Sequence, residues 1–305
     1  MSDAFPLQQS PLYAAALARL DVPIRVIHGP DGPILVLMRC LPLLGQVAIA
    51  SRPKGRIDAG LRQTLGARIL IVNAHSAEQG QVLAKQGFFR ISAPRTHAHL
   101  FLAGTPDDWL SRMQGKWRNR LRHGQRQGLE LRANPMPADC NHWLFYHETA
   151  QQKARAYRNL PPALIAAMAG ADPTALRLFT ARKDGKICAA MLFARHDNSA
   201  TYLIGWSDAT GRKTSAHPVL MWQAMAELHG SGVTDIDLGH CDQTRNPGLA
   251  RFKLGSGARL CPLGGTWITA PGLGLLRPRK PRVPSPPQPA TAAPAQAAPR
   301  GFRAP

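Results

Sequence analysis

The stretch LRLFTARKDGKICAAMLFARHDNSATYLIGWSD, residues 176–208, is the most informative part of the sequence for the fold. Two apolar segments, Leu176–Arg182 and Ile187–Arg195, flank the residues Lys-Asp-Gly-Lys, and an Asp-Gly pair tolerates the positive φ angles of a tight hairpin turn. A third apolar segment, Ala200–Trp206, follows the polar residues His-Asp-Asn-Ser. The stretch therefore predicts a meander of three antiparallel strands.

Helix and strand patterns alternate after this meander. They predict a helix over Pro218–Leu228 that ends at Gly230, a strand over Val233–Leu238, a short helix around Leu249–Lys253 and strands toward Trp267. Strands that alternate with helices after a meander indicate a mixed sheet with helices packed on it. We therefore predict an α/β fold for this half of the chain.

The first hundred residues show the same order of elements. A hairpin is predicted around Gly-Pro-Asp-Gly, between the apolar segments Ile24–His28 and Ile34–Cys40. The elements predicted after it are a strand at Val47–Ala50, a short helix near Ile57–Leu65, a strand at Arg68–Asn73, a helix at Ala77–Gln86, and extended segments at Phe88–Ile91 and His97–Leu102. The repetition suggests an internal duplication, with an N-terminal domain over 1–104 and a C-terminal domain over 105–270.

A basic amphipathic helix is predicted between the two halves, within Thr105–Arg132. Thr105 is a suitable N-cap, Pro106 suits the first helical position, and Asp108 completes a capping box. Large apolar residues recur at helical spacing on one face, and Lys116, Arg118 and Arg120 lie among the cations of the other faces. These three cations are candidates to bind the phosphates of a tRNA acceptor stem or of a nucleotide-linked precursor, and a solvated basic face is the alternative.

The charge of the chain points to a polyanionic partner. Its 305 residues contain 38 Lys and Arg against 18 Asp and Glu, a net charge of +20. Such a field favours RNA, a nucleotide-linked acceptor or an anionic membrane surface, and no DNA partner is expected. The segment 271–305 is rich in Pro and Ala with scattered cations, which predicts a disordered basic tail that can touch RNA or anionic lipid. A solvated tail without a specific function is the alternative.

The location and redox state of the chain follow from weaker signals. Its five cysteines form no Cys-x-x-Cys pair, which indicates neither a disulfide framework nor a zinc site, and no metal is expected. The N-terminus lacks the pattern of a secretory signal, and the most apolar segment, 33–50, is interrupted by polar residues and proline. We expect a reduced, cytoplasmic protein.

Three stretches in this order give the chain a family resemblance. They are KWRNRLRHGQRQGLELR (116–132), ARKDGKICAAMLFARHDNSATYLIGWSD (181–208) and DIDLGHCDQTRNPGLARFKLGSGA (235–258). Together they resemble the FemAB peptidoglycan-bridge aminoacyltransferases of the GNAT superfamily, and the related BioF2-like and CelD-like acyltransferases. The resemblance covers roughly residues 10 to 270. It implies two GNAT-like halves, and transfer of an amino acid from aminoacyl-tRNA to an amine of a peptidoglycan precursor.

The resemblance also implies roles for individual residues. Lys253 matches the lysine of the family's Phe-Lys pair, which is implied to stabilise the oxyanion of acyl transfer, and Phe252 packs beside it. Tyr202 matches a strand tyrosine near the active cleft. The alternative interpretations are a solvated lysine at a helix end and an aromatic residue that fills a sheet face.

The strand that ends Asp-Ile-Asp-Leu-Gly-His carries the candidates for a general base. Asp235 and Asp237 point to one face of this strand, and Asp237 and His240 are the candidate bases. Capping of the loop by these side chains, or a substrate-assisted route without a protein base, are the alternatives.

The donor is aminoacyl-tRNA or acyl-CoA, acting as a co-substrate, and no bound cofactor is expected. The loop 211–216 lies where a GNAT enzyme holds the pyrophosphate of acyl-CoA, but it lacks the Gly-x-Gly pattern of such a loop. Arg212 and Lys213 remain candidates for phosphate contacts. A CoA-dependent N-acyltransferase is the second enzymatic hypothesis, and a non-catalytic RNA-binding or membrane-surface protein is the hypothesis from another class.

Overall fold

A computed structural model describes residues 5–29, 31–58 and 60–273 of the chain. The predicted basic tail thus lies outside the described residues from position 274 onward. After a short 3-10 turn at Leu7–Gln9, the helices are α1 (Pro11–Arg19), α2 (Leu61–Thr64), α3 (Ala77–Lys85), α4 (Pro106–Arg112), α5 (Gly115–Gln125), α6 (Trp143–Arg155), α7 (Pro162–Ala171), α8 (Ala209–Lys213), α9 (Ala216–Gly230) and α10 (Pro247–Gly255). The strands are β1 (Ile24–Gly29), β2 (Gly32–Leu41), β3 (Gly45–Ser51), β4 (Ile69–Ala74), β5 (Phe89–Ser92), β6 (Thr96–Phe101), β7 (Glu130–Pro135), β8 (Leu176–Lys183), β9 (Lys186–His196), β10 (Ser199–Ser207), β11 (Asp235–His240), β12 (Arg259–Pro262) and β13 (Gly265–Thr269).

These strands form two mixed sheets flanked by helices. The first sheet has the order β1-β2-β3-β4-β13-β5, and the second has the order β12-β6-β11-β10-β9-β8-β7. In each sheet one neighbouring pair is parallel, β3 with β4 and β10 with β11, and the other pairs are antiparallel. This arrangement confirms the predicted α/β fold of two similar halves.

The two halves exchange strands. β6 precedes residue 104 but pairs with β11 and β12 in the second sheet, whereas β13 near the end of the chain pairs with β4 and β5 in the first. Both sheets belong to one compact unit, Met1–Pro271. The division into domains at residue 104 stays a prediction. A strand from before this residue joins the second sheet, and a strand from after it joins the first.

The meander predicted over 176–208 is confirmed. β8 and β9 are joined by a two-residue turn in which Asp184 has a φ of 51° and Gly185 a φ of 76°. Positive φ angles at both positions produce the backbone twist that matches a two-residue hairpin. β10 completes the meander and carries a bulge between Tyr202 and Ile204.

The prediction of one basic helix within Thr105–Arg132 is wrong, because the segment contains two helices and a strand. Thr105 caps α4 with the predicted capping box, but Met113 and Gln114 have extended ψ angles of 145° and 144°. The break between α4 and α5 directs two tryptophans toward different partners. Trp109 packs on α9 against Trp222, whereas Trp117 packs on Phe252 of α10.

Four helices, α1, α6, α7 and the short α8, were not predicted from the sequence. α7 reads PALIAAMAGA, and its apolar residues are buried on nearly every side, so it lacks the one-sided pattern of a surface helix. Together with α1 and α6 it covers a core that includes Leu144, Ile165 and Leu192. Burial on several sides, rather than amphipathic periodicity, defines α7.

Close packing of α10 on α5 gives a first prediction. A Cβ atom added at Gly255 would lie 2.7 Å from Cδ1 of Trp117 and 3.3 Å from Cβ of Trp117. We expect Gly255→Ala to lower the free energy of unfolding by about 1–3 kcal/mol, because the added methyl group forces the helices apart. Gly248→Ala in the same helix is the matched control, since nothing lies within 4 Å of its added Cβ. Urea unfolding of both variants measures the difference, and equal stabilities would contradict the account.

Candidate active site

The candidate site lies where β10 and β11 separate. Their parallel pairing covers Ser199–Thr201 and Asp235–Asp237, after which β10 bends at its bulge and β11 continues to His240. Gly239 has a φ of 76°, in the left-handed region that glycine adopts readily. The C-terminal end of β11 is thereby turned toward α10.

Lys253 projects from α10 to this strand end. Its residue is 4% exposed, and its Nζ donates a hydrogen bond of 2.8 Å to the carbonyl oxygen of His240. Burial lowers the pKa of Lys253 to about 8. The alternative of a solvated surface lysine is therefore wrong. A buried ammonium with two further N–H groups is suited to stabilise a developing anion.

Phe252 fixes the surroundings of this lysine. Its ring lies half-buried between Trp117, at a centroid distance of 6.1 Å, and His217, at 6.0 Å. The indole Nε1 of Trp117 donates to the carbonyl oxygen of Phe252 at 3.0 Å. The backbone amide of Gln114 also donates to Gly255 at 3.0 Å. The start of α5 is therefore attached directly to the Phe-Lys segment.

Asp237 is the centre of a buried ion-pair network. Its Oδ2 accepts from Nη1 of Arg52 at 2.5 Å, and Nδ1 of His97 lies 3.0 Å from Oδ1. Oδ1 also accepts from the backbone amide of Gly239 at 2.7 Å. Burial alone raises the pKa of this carboxyl, but the hydrogen bond from His97 and the charge of Arg52 hold it well below its usual range. A carboxylate of such low basicity is poorly suited to act as a general base.

A second carboxylate orients a second histidine beside Asp237. Asp235 Oδ1 lies 2.8 Å from Nδ1 of His99, and Nε2 of His99 lies 3.7 Å from Asp237 Oδ1. Burial opposes protonation of His99, but the hydrogen bond to Asp235 and the charge of Asp237 raise its pKa above the usual value. Of the described residues, only His97, His99 and Asp237 are close enough together to hold a metal ion. Arg52 already supplies positive charge to this carboxylate.

His240 keeps one ring nitrogen available at the same strand end. Its Nδ1 lies 3.1 Å from the carbonyl oxygen of Thr96, and because a carbonyl only accepts, Nδ1 carries the hydrogen. The neutral ring then has its lone pair on Nε2, which lies 4.0 Å from Asp242 Oδ2. The side chain is 46% exposed. This geometry is compatible with the predicted role of base.

Tyr202 lies at the bulge of β10. Its ring packs against Phe193 at a centroid distance of 5.3 Å, and its hydroxyl covers Gly205, where any side chain would clash. Burial raises its pKa, and the charge of Glu148 adds to this effect. Glu148 is itself buried and accepts from the Tyr157 hydroxyl at 2.9 Å.

The loop that carries Arg212 and Lys213 is folded into α8. The amides of Arg212, Thr214 and Ser215 donate to backbone carbonyls within the loop, and the Gly211 amide donates to Asp208 Oδ1 at 2.7 Å. Arg212 and Lys213 are both exposed, and Nη1 of Arg212 donates to the Ser207 carbonyl oxygen. These amides are therefore engaged inside the protein rather than presented to a phosphate.

The cations of α5 differ in their surroundings. Lys116 and Arg120 are exposed, whereas Arg118 is half-buried and donates from Nη1 to the carbonyl oxygens of Leu110 and Met113. Those carbonyls belong to the end of α4, so Arg118 stabilises the junction between the two helices. Of these three cations, Lys116 and Arg120 are the two that are exposed to solvent.

Arg52, His97 and His99 were missed in the sequence analysis. A signal existed for the histidines, because the alternation Thr-His-Ala-His on a strand places both on one face. No such signal existed for Arg52, because its partner Asp237 is 185 residues away and its unusual φ of 54° is visible only in the structure.

No helix among the described residues is long and apolar enough to cross a membrane.

Comparison with known proteins identifies the class. Residues 111–254 match the family model of an acetyltransferase (GNAT) domain. These residues therefore form a GNAT acyltransferase domain, which lies within the two-sheet architecture. The family model that they match is of the FemAB type.

Solved structures share the fold at low sequence identity. The crystal structure of FemX superposes with a TM-score of 0.69 at 14% identity, covering 88% of this chain and 93% of that one. The C-terminal domain of a putative lysylphosphatidylglycerol synthetase from Agrobacterium fabrum gives 0.55 at 16% identity, covering 88% and 91%. L-PGS from Bacillus licheniformis gives 0.52 at 11% identity, covering 90% and 95%. No curated protein sequence matches the chain.

Proposed function

We propose that this acyltransferase moves an aminoacyl group from aminoacyl-tRNA to the amine of an acceptor, with a nucleotide-linked cell-envelope precursor as the acceptor class. The observation that carries the proposal is the buried ammonium of Lys253 at the C-terminal end of β11. The FemAB-like character of the chain supports the choice of donor.

The proposed reaction is attack of the acceptor amine on the ester carbonyl of the donor. The new C–N bond forms a tetrahedral intermediate, whose oxygen becomes negative, and collapse breaks the C–O bond to the ribose of the tRNA. The amine loses a proton and the ribose hydroxyl gains one. Lys253 stabilises the oxyanion, a contribution of about 3–4 kcal/mol for a donor in a protected site. His240, adjacent in the chain to the turn at Gly239, is the proposed base.

Asp237 is assigned a positioning role in this proposal. Its carboxylate is held by Arg52 and in turn holds the amide of Gly239. The carbonyl oxygen of the following residue, His240, accepts a hydrogen bond from the ammonium of Lys253. The network therefore orients the strand end that holds the lysine, and proton abstraction is left to a more basic group.

The α8 loop favours aminoacyl-tRNA over acyl-CoA as the donor. A pyrophosphate bound at a loop and helix terminus needs backbone N–H groups that are free to donate. The amides of Gly211, Arg212, Thr214 and Ser215 are engaged internally. The exposed cations Lys116 and Arg120 lie on α5, whose first turn contacts the segment that carries Lys253. Such cations provide the phosphate contacts that a tRNA acceptor stem requires.

An acyl-CoA-dependent N-acyltransferase is the second candidate, because the matching family model describes an acetyltransferase. Mass spectrometry distinguishes the two when charged tRNA and acyl-CoA are offered in parallel with a panel of amine-bearing acceptors. We expect the acceptor to gain the mass of an aminoacyl residue from tRNA and nothing from acyl-CoA. Transfer from acyl-CoA alone would reject the tRNA proposal, and RNA binding without any product would support a non-catalytic protein.

The contacts of α5 give a prediction about donor binding. Replacing both Lys116 and Arg120 by serine removes two phosphate contacts, so we expect the donor dissociation constant to rise and its dependence on salt concentration to become shallower. The control is replacement of Lys153, an exposed cation of α6, by serine. Filter binding of charged tRNA over a salt series measures both quantities. Equal salt slopes for the two variants would place the donor elsewhere.

The lowered pKa of Lys253 predicts the pH profile. The proposed role needs the protonated ammonium, which is present below its pKa of about 8 and is lost above it. The maximal transfer rate should therefore fall as the pH rises through about 8. Lys253→Arg, if active, should lack this decline because a guanidinium stays charged. A rate that increases through pH 8 would instead indicate that the neutral amine acts.

A further inference from the structure

The hairpin that joins β2 and β3 ends in an exposed apolar tip, Leu41–Leu44. β2 ends at Leu41 and β3 begins at Gly45. Leu43 is 97% exposed, the highest value among the exposed large hydrophobic residues, while Leu41 is 41% and Leu44 48% exposed. Single exposed leucines are ordinary on protein surfaces, but three at one projecting turn form a contiguous apolar surface.

Leu43 is unfavourable at this position for two independent reasons. Its φ of 65° lies in the left-handed region, where an L side chain costs about 1–2 kcal/mol relative to glycine. The turn around it is closed by a hydrogen bond of 2.8 Å from the Leu44 amide to the Pro42 carbonyl, so the conformation is held. The side chain also gains almost no burial within the chain. Neither folding nor the turn geometry accounts for a leucine here, whereas an intermolecular contact does.

Two exposed arginines lie beside the tip. Arg39 on β2 is exposed next to the tip, and exposed Arg68 packs its side chain over Gly45 and donates its amide to Gln46 at 2.8 Å. Apolar residues that protrude between arginines match the boundary of an anionic bilayer, where the acyl region receives the side chains and the headgroups receive the cations.

We propose that the Leu41–Leu44 tip docks this protein on an anionic membrane surface. The leucine side chains enter the boundary between headgroups and acyl chains, and Arg39 and Arg68 pair with lipid phosphates. Such insertion is shallow and reversible, because three apolar side chains and a few charges provide far less affinity than a membrane-spanning helix. The proposal concerns the β2–β3 hairpin and does not depend on the acyl donor or acceptor.

Co-sedimentation of the full chain with vesicles tests this proposal. The vesicles contain phosphatidylglycerol in phosphatidylcholine, with pure phosphatidylcholine in parallel, and the variant is Leu43→Gly. Glycine suits a positive φ, so the melting temperature should not fall, while the partition coefficient onto anionic vesicles should fall about tenfold. Ile91→Gly is the control, because Ile91 is 56% exposed on β5, away from the tip. It should bind vesicles like the wild type.

A second variant tests the arginines separately. Arg39→Ser combined with Arg68→Ser should reduce the preference for anionic over neutral vesicles and leave the melting temperature unchanged. The proposal is overturned if the wild type does not bind anionic vesicles, or if Leu43→Gly binds them as tightly as the wild type. Self-association of the chain that Leu43→Gly abolishes, without vesicle binding, would also overturn it in favour of a contact between copies.

Discussion

Replacing Lys253 by methionine should lower the maximal rate of acyl transfer by about 10²–10³-fold while the fold remains intact. Methionine keeps the length and apolar volume of the side chain but removes the ammonium that is proposed to stabilise the oxyanion of the donor. Removal of one oxyanion donor in a protected site typically costs about 3–4 kcal/mol in the transition state, which corresponds to this range.

The stability of the same variant separates catalysis from folding. Lys253 is buried and its pKa is lowered by that burial, so the charged side chain opposes folding at neutral pH. We therefore expect the melting temperature of Lys253→Met to equal or exceed that of the wild type. Lys153→Met on the exposed face of α6 is the control and should leave both rate and melting temperature unchanged. A large loss of stability would mean that the lysine acts mainly in folding.

Replacing Arg52 by methionine should destabilise the protein by about 3–5 kcal/mol. The side chains of Arg52 and Asp237 are only 8% and 9% exposed, so loss of the guanidinium leaves a buried carboxylate without its main counter-charge. The combined variant Arg52→Met with Asp237→Asn should recover most of this loss, because it removes both charges. Chemical denaturation of the three proteins measures the coupling between the residues.

A less buried ion pair provides the comparison for Arg52. Arg177 and Glu227 are 25% and 31% exposed, and Arg177→Met should cost only about 1 kcal/mol or less. If Arg52→Met lowers the free energy of unfolding no more than Arg177→Met does, the ion pair between Arg52 and Asp237 does not hold the two halves together. The combined variant should still transfer more slowly than the wild type, since the neutral amide of residue 237 is a weaker anchor for Gly239.

Short sequence patterns predicted correctly the elements that are determined by residues close together in the chain. The meander over 176–208 follows from an Asp-Gly turn between apolar segments, and the capping box at Thr105 follows from residues three positions apart. The exchange of β6 and β13 between the sheets has no local cause. Each strand carries an ordinary apolar pattern, and the choice of neighbour depends on surfaces formed by distant parts of the chain.

The candidate site was predicted only in part, because some of its contacts join residues that are far apart in sequence. The motif match marked Lys253 and Asp237, and the structure brings both to one strand end with His240. The partners that determine their chemistry, Arg52 and His97, are far away in sequence and were not predicted. The division of the basic segment into α4 and α5 was also missed, because it depends on the separate packing of Trp109 and Trp117.

The single-turnover rate of aminoacyl transfer, measured with saturating charged tRNA for the wild type and Lys253→Met, shows whether the buried ammonium acts in catalysis. This rate excludes binding and product release, so it reports the step in which the carbonyl oxygen becomes negative. We expect a rate about 10²–10³-fold lower in the variant, with the affinity for charged tRNA nearly unchanged. A rate within a few-fold of the wild type would contradict a catalytic role for the buried ammonium.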